Sequence, residues 1–354
     1  MKIKSLLLGS AAALVAVSGA RAADAVIIPE PEAVEYVRIC DAAGTGYFYI
    51  PGTETCLKIS GFVRYQMDFA GGDGYDQDGW DKAYDINLLF EAWNDTELGP
   101  LYSQIRMELD GGASVDVAGT TVTVDPSTSR PLGDGLVNVD KAYFTLAGVT
   151  MGYKNSFYDI GFGGPADALN NTGSNTGMVG YTASTGGFDI SLVLEDDGSA
   201  NWTPSVLGVV DGSVGDFGIT LAAVYDDTAG ATADGDWGFQ GVATYDLGAA
   251  ALGFGVQYSG APGTGRYQAD YDWVLGGDVS FAATDKLSLG LGTQYALNEL
   301  GGSDDDWVVG ALASYDVVSG LNTELRLRWL EDTSTDDAVD TSGWNARVRF
   351  TRSF

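Results

Sequence analysis

Three observations predict a membrane-spanning antiparallel β-barrel of about sixteen strands. Segments of roughly ten residues alternate apolar and polar side chains along most of the chain. Short and long connections between these segments alternate as well. Beyond residue 22 there is no run of apolar residues long enough for a transmembrane helix, so a membrane crossing would have to use strands.

Composition narrows the functions open to such a fold. The 354 residues carry 49 acids against 18 bases, no histidine and a net charge of −31 at pH 7. That charge argues against nucleic acid as a partner, because phosphate binding needs a basic footprint. Lack of histidine excludes Ser-His-Asp and Cys-His catalysis and the usual zinc-hydrolase ligand sets. Low charge content with abundant Tyr, Phe and Trp argues against disorder.

Residues 1–22 read as a secretory signal peptide. Met1 to Lys4 is a cationic start, Ser5 to Gly19 is apolar, and Ala20, Arg21 and Ala22 form a small-x-small cleavage site. Cleavage there removes three bases and no acid, taking the charge from −31 three units further to −34. Residues 23–56 form an N-terminal segment containing both cysteines, Cys40 and Cys56. In an exported chain these are expected to pair, closing a loop whose constraint stabilises by roughly 3 kcal/mol. The alternative, two reactive thiols, lacks a CxxC spacing and a nearby base.

Residues 57–354 carry the barrel. Leu57, Ile59, Val63, Tyr65, Met67 and Phe69 oppose Lys58, Ser60, Arg64, Gln66 and Asp68. The pattern recurs in Phe217 to Tyr225, Leu287 to Tyr295 and Leu321 to Trp329. In the last segment Trp344, Ala346, Val348, Phe350 and Phe354 share one face, broken only by Arg352, which can reach the membrane interface. Such segments start near 57, 82, 98, 137, 148, 178, 187, 205, 216, 237, 250, 273, 286, 306, 321 and 343. An even count suits an antiparallel barrel with both termini on one rim.

The connections supply independent support. Short ones, such as Asp246 to Ala249 and Ala282 to Asp285, interleave with long acidic ones. The long ones include Ala70 to Asp81, Gly111 to Leu136, Asp226 to Asp236, Gly260 to Asp272 and Glu331 to Ser342. Tyr245, Phe281 and Tyr315 sit beside short turns, as an aromatic girdle requires. A soluble secreted β-sandwich or β-helix would alternate too, but needs neither the two loop lengths nor an aromatic end to its last strand.

If the apolar face meets lipid, the opposite face lines a lumen. It lacks the bulk to fill a core, so a water-filled channel is expected. By parity Lys58 and Arg64 on the first segment, Arg106 on the third, Arg326 and Arg328 on the fifteenth and Arg347 and Arg349 on the last all point inward. Closure of the barrel joins first and last segments, which gathers these seven bases into one sector. Clustered guanidinium groups repel one another and call for an opposing acid or a passing anion.

The candidate opposing element is residues 155–177, which hold Asp159, Asp167, Asn170 and Asn171 among glycines. Folded into the lumen as a constriction loop, it would set Asp159 and Asp167 across from the arginines and create a transverse field. The plainer reading pairs each arginine with acids on adjacent strands, such as Arg106 with Glu108. The constriction reading is preferred.

No cofactor and no catalytic or specific metal site is expected. Gly71 to Asp76 matches the calcium nonapeptide pattern once only, whereas binding needs a stacked array. The acidic runs Asp304 to Asp306 and Asp336 to Asp337 read as solvated loop faces, with at most weak divalent-cation binding that bridges to lipopolysaccharide. There is no P-loop, dinucleotide fingerprint or nucleophile elbow, and nothing supports an enzyme.

Val34 to Asp41 (VEYVRICD) and Gly46 to Gln66 (GYFYIPGTETCLKISGFVRYQ) resemble the mature N-terminus of alphaproteobacterial outer-membrane general porins. Val139 to Gly148 (VDKAYFTLAG), Met151 to Tyr153 and the terminal Phe354 agree. The resemblance implies a sixteen-stranded homotrimeric channel in the cell outer membrane, surrounded by lipid and lipopolysaccharide. Small hydrophilic solutes and ions would diffuse through it passively, with the third long loop folded into the pore. It carries the constriction role onto Asp159 and Asp167 and the wall role onto Arg64, Arg106, Arg326, Arg328, Arg347 and Arg349. It also makes Phe354 the signal to the assembly machinery. Tyr153 departs from the family, which has a base after Met-Gly, so the field at the loop's root depends on whether Lys154 points inward. Two other functions fit the residues: a non-conducting surface barrel serving as anchor or adhesin, and an anion-specific channel using the arginine sector. The acidic loops lean the mouth toward cations, while the wall arginines favour anions locally.

Overall fold

The computed structural model describes residues 37–72, 79–112, 138–170, 174–196, 198, 203–229, 235–299, 305–332 and 341–354. The expected signal peptide, the calcium-like motif beyond Gly72, Asp304, Asp336, Asp337, Asn171 and most of the Gly111–Leu136 connection lie outside them. Residues Ile39–Phe354 form one unit.

Among the described residues a two-residue strand, β1 (Phe48–Tyr49), precedes sixteen longer ones. These are β2 (Cys56–Gly72), β3 (Gly79–Asn94), β4 (Leu101–Gly112), β5 (Asn138–Leu146) and β6 (Val149–Asn155). Next come β7 (Asn175–Thr185), β8 (Phe188–Glu195), β9 (Ser205–Val214), β10 (Phe217–Asp226), β11 (Asp236–Asp246) and β12 (Ala250–Ser259). The last are β13 (Tyr271–Ala282), β14 (Leu287–Glu299), β15 (Asp306–Val318), β16 (Leu321–Asp332) and β17 (Thr341–Ser353). Each of the sixteen begins within three residues of the start expected from alternation. The extra strand β1 was not anticipated.

Strands β2 to β17 pair antiparallel with their chain neighbours, and β17 pairs with β2 from Ser353 opposite Phe62 to Gly343 opposite Gly72. Closure leaves no edge, as a membrane requires, because an unpaired N–H or C=O in hydrocarbon costs several kcal/mol. Phe354 completes the seam: its N–H and C=O bond Gly61, at 3.0 and 3.1 Å. Its ring lies where a Cβ on Gly61 would stand 3.2 Å away.

Connections alternate as expected. Tight turns such as Ala147–Gly148 and Gly186–Gly187 hold two successive residues at positive φ, matching the twist of their hairpins. The opposite rim carries the long connections. Outward side chains form two aromatic belts. Tyr245, Phe281 and Tyr315 stand exposed near the tight turns. Trp80, Trp237, Trp273, Trp329 and Trp344 stand exposed near the long loops, with Trp329 directly opposite Trp344. Tyr225, Trp237, Phe239, Tyr258 and Trp273 form a run of ring contacts at 4.8 to 6.2 Å. This second belt was missed in the sequence, where tryptophans near acidic loops look unremarkable singly.

The N-terminal segment is fastened to the tight-turn end of β2. Cys40 and Cys56 form a disulfide and are fully buried. Tyr47 packs with them, supported by Ala43, Tyr49 and Trp93. β1 pairs with the first residues of β2, Phe48 opposite Leu57 and Tyr49 opposite Cys56. Replacing both cysteines by serine is expected to cost about 3 kcal/mol of this segment's attachment. Cleavage at exposed Glu54 by a glutamyl endopeptidase then accelerates, while far-UV circular dichroism of the barrel stays unchanged.

Candidate functional site

Register decides which bases meet which acids. Arg326 on β16 lies directly opposite Arg347 on β17, an arrangement unfavourable for like charges unless each is compensated. Arg347 is compensated across the closing seam by Asp68, with Nε to Oδ1 at 2.5 Å. Arg349 donates to Gln66 Oε1 at 2.9 Å and stands 4.0 Å from Glu324. Arg64 pairs with Asp85 at 3.0 Å. Arg106 pairs with Glu108 at 3.4 Å and approaches Asp140 at 2.5 Å, off the hydrogen-bond line. Lys58 pairs with Glu91 at 3.3 Å and lies 5.6 Å from the centre of the Tyr47 ring, so it is held beneath the N-terminal segment. For these five bases the plainer reading, pairing with strand neighbours, describes the geometry.

Arg328 differs. Its Nε donates to the carbonyl of Pro165 and a terminal nitrogen to that of Asp167, both at 2.6 Å. Arg326, by contrast, makes no hydrogen bond or ion pair among the described residues, and its buried Nε has no acceptor.

Pro165 and Asp167 belong to the connection between β6 and β7, yet they reach β16. The short 3₁₀ turn Gly164–Ala166 touches β13, β14, β15 and β16. In a ring of sixteen, β14 and β15 stand opposite β6 and β7. The connection therefore crosses the lumen along its inner wall. Its first part is apolar and docks on an apolar floor. Phe157, Tyr158 and Ile160 pack with Met178, Val193, Leu207, Val209, Ala222 and Val224, inward side chains of β7 to β10.

Its second part lies in a trough made by missing side chains. A Cβ on Gly255 or Gly276 would strike the Phe162 ring, and one on Gly292 would strike the carbonyl of Gly163. A Cβ on Gly310 would stand 2.6 Å from the Pro165 carbonyl. Gly163 and Gly164 turn the loop at φ +86° and +55°, conformations that other residues adopt only with strain. Gln294, fully buried on β14, bonds the loop along its length. Its Nε2 donates to Phe162 O at 2.9 Å and Asn170 Oδ1 at 2.7 Å, and its Oε1 accepts from the N–H groups of Ala168 and Leu169 at 2.8 Å.

The two loop acids have separate surroundings. Asp159 is exposed and accepts from Asn155 Nδ2 at 2.5 Å. Asp167 is partly covered; burial pushes its pKa up to about 6 against the opposing pull of Arg328. Lys154 is an inward residue, with Nζ 4.4 Å from the Phe157 ring centre and 5.3 Å from that of Tyr143, whereas Tyr153 is exposed. The positive charge at the loop's root is present one residue later than in the family pattern. Gln294 and the glycine trough were not singled out from sequence. A glutamine and glycines on the inward parity of a strand look like ordinary pore lining until the loop is seen against them.

The chain matches the family model described as Porin subfamily over residues 24–350. It is 37% identical over 388 residues to Porin Omp2a of Brucella suis and 36% identical over 397 residues to Porin Omp2b of Brucella neotomae, covering the whole of both chains in each case. Among solved structures it is similar to an anion-selective porin from Comamonas acidovorans, with TM-score 0.61 and 12% identity over 85% of this chain and all of that one. It is also similar to the trimer form of OmpT from Vibrio cholerae, with TM-score 0.56 and 11% identity over 84% of this chain and all of that one. At such identities the two structures show the fold alone.

Gly310→Val tests the trough. The new side chain meets loop backbone, which cannot move aside locally, so the variant is expected to lose about 1–3 kcal/mol. Its single-channel conductance falls as the loop is pushed off the wall, while heat-modifiable migration of the folded barrel persists.

Proposed function

The chain belongs to the porin subfamily, water-filled outer-membrane channels for passive diffusion of small hydrophilic solutes, and from this premise we propose that its eyelet lies between the infolded loop and the β16–β17 arginines. The observation that carries this reading is the loop's path to the opposite wall, where Arg328 holds Pro165 and Asp167. Passing solutes meet Asp159 and Asp167 on one side and Arg326, Arg347 and Arg349 on the other. Lys58, Arg64 and Arg106 continue the charged wall, each paired with a carboxylate. The field is thus mostly short-range and orders water and solute dipoles across the opening more than it selects charge.

Charge selection then falls to what is left unpaired. The acidic long loops lean the mouth toward cations, and Arg326 opposes them at the narrow point. We also propose a homotrimer, cleavage of residues 1–22, and Phe354 as the signal for assembly. Full-length similarity to porins supports these, as does the trimer form in which one structural neighbour was solved.

Planar-bilayer recordings test the reading. Folded protein shows stepwise conductance; its absence would return the chain to the anchor or adhesin alternative. Arg326→Ala shifts the reversal potential in a salt gradient toward cations. An unchanged potential removes Arg326 from selectivity. Asp167 adds a pH dependence. Its carboxyl, raised to about 6, is charged at pH 7 and largely neutral at pH 5, so acidification removes a negative charge beside Arg328 and shifts selectivity toward anions. Asp167→Asn takes the low-pH selectivity at both pH values.

A further inference from the structure

We propose that a second infolded connection, residues 260–270 between β12 and β13, is a positioning element that locks both ends of the pore loop. This rests on the reading that the β6–β7 loop borders the passage. Tyr267 is fully buried, and its hydroxyl donates to Glu195 Oε2 at 2.7 Å. Glu195, on β8, is itself fully buried and accepts from the start of the pore loop: Ser156 Oγ at 2.7 Å and Phe157 N–H at 2.9 Å. The Tyr158 and Tyr267 rings meet edge to face at 5.6 Å. At the pore loop's other end Arg266 donates to Ser174 O and Oγ, at 3.2 and 2.8 Å, and to Asn175 O at 2.6 Å.

The second connection is anchored in its turn. Asp226, fully buried at the end of β10, accepts the N–H groups of Arg266 and Tyr267 at 2.7 and 2.9 Å. Ser259 Oγ accepts the N–H of Ala269 at 2.8 Å. A buried carboxylate without donors is costly, so neither loop can leave Glu195 while the other stays without stripping it of part of its shell. Both burial and the neighbouring Glu195 raise the pKa of Tyr267, which keeps its hydroxyl a donor across the working range. The two loops therefore hold still together, and the constriction keeps one width during conduction.

The test is single-channel recording of Tyr267→Phe and Arg266→Ala, with melting of the folded barrel followed in parallel. Tyr267→Phe keeps the ring and removes one hydrogen bond to a charged acceptor. Closing and subconductance events are expected to rise about tenfold, the factor such a bond carries, with the full open level unchanged. A merely structural role would move the melting curve and leave gating alone. Ser156→Ala removes a different donor from Glu195 and decides the matter should Tyr267→Phe not assemble. Arg328→Ala is recorded alongside. Altered conductance there, with wild-type gating in the other variants, overturns the lock and leaves the eyelet standing. Wild-type records in all four overturn the eyelet reading as well.

Discussion

The lumen is organised by how closely one loop can lie against the wall. Cβ atoms at Gly255, Gly276, Gly292 and Gly310 would occupy space taken by Phe162 to Pro165. Their absence lets a loop from β6 run flat across to β16 instead of standing in the channel. Gln294 and Arg328 then supply the polar contacts that a loop backbone removed from water needs. The apolar floor on β7 to β10 belongs to the same design, since inward valines and leucines are affordable in a lumen only where something covers them. On the proposed reading the open passage is left beside β16, β17 and the first strands, where the wall is charged.

Charge in that sector follows the same economy of register. Antiparallel pairing sets Arg326 against Arg347, and ring closure brings Asp68 to Arg347 from the other end of the chain. Glu324, Asp85 and Glu91 stand to their partners in the same way. The basic cluster that parity reveals is therefore largely a set of ion pairs lining water. The exceptions matter most: Arg328 acts on the loop through carbonyls, and Arg326 has no partner among the described residues.

Much of the barrel was legible because alternation and turn spacing are local. Trp344 to Phe350 announces a strand without reference to any other residue, and the parity of Arg347 follows from the same alternation. The seam between β17 and β2 was legible too, since closure joins the ends. The loop's docking was not, because its determinants are far apart in the chain. Gln294 and Phe162 are separated by 132 residues, and Tyr267 and Glu195 by 72. A glycine on an inward position says only that space is left, not what fills it. Asp159 and Asp167 were found by charge and place in the loop, yet it is the backbone around Asp167 that reaches arginine, while Asp159 turns to Asn155.

The division of the lumen into a covered half and an open half can be measured directly by cysteine accessibility, since the native cysteines are both in a disulfide. Ser60 on β2 lies inward in the open sector, and Leu207 on β9 lies under the docked loop. A charged methanethiosulfonate added to the conducting channel should react quickly with Ser60→Cys and lower its conductance, and leave Leu207→Cys unmodified. Equal reaction at both positions, or block of Leu207→Cys alone, would contradict the account.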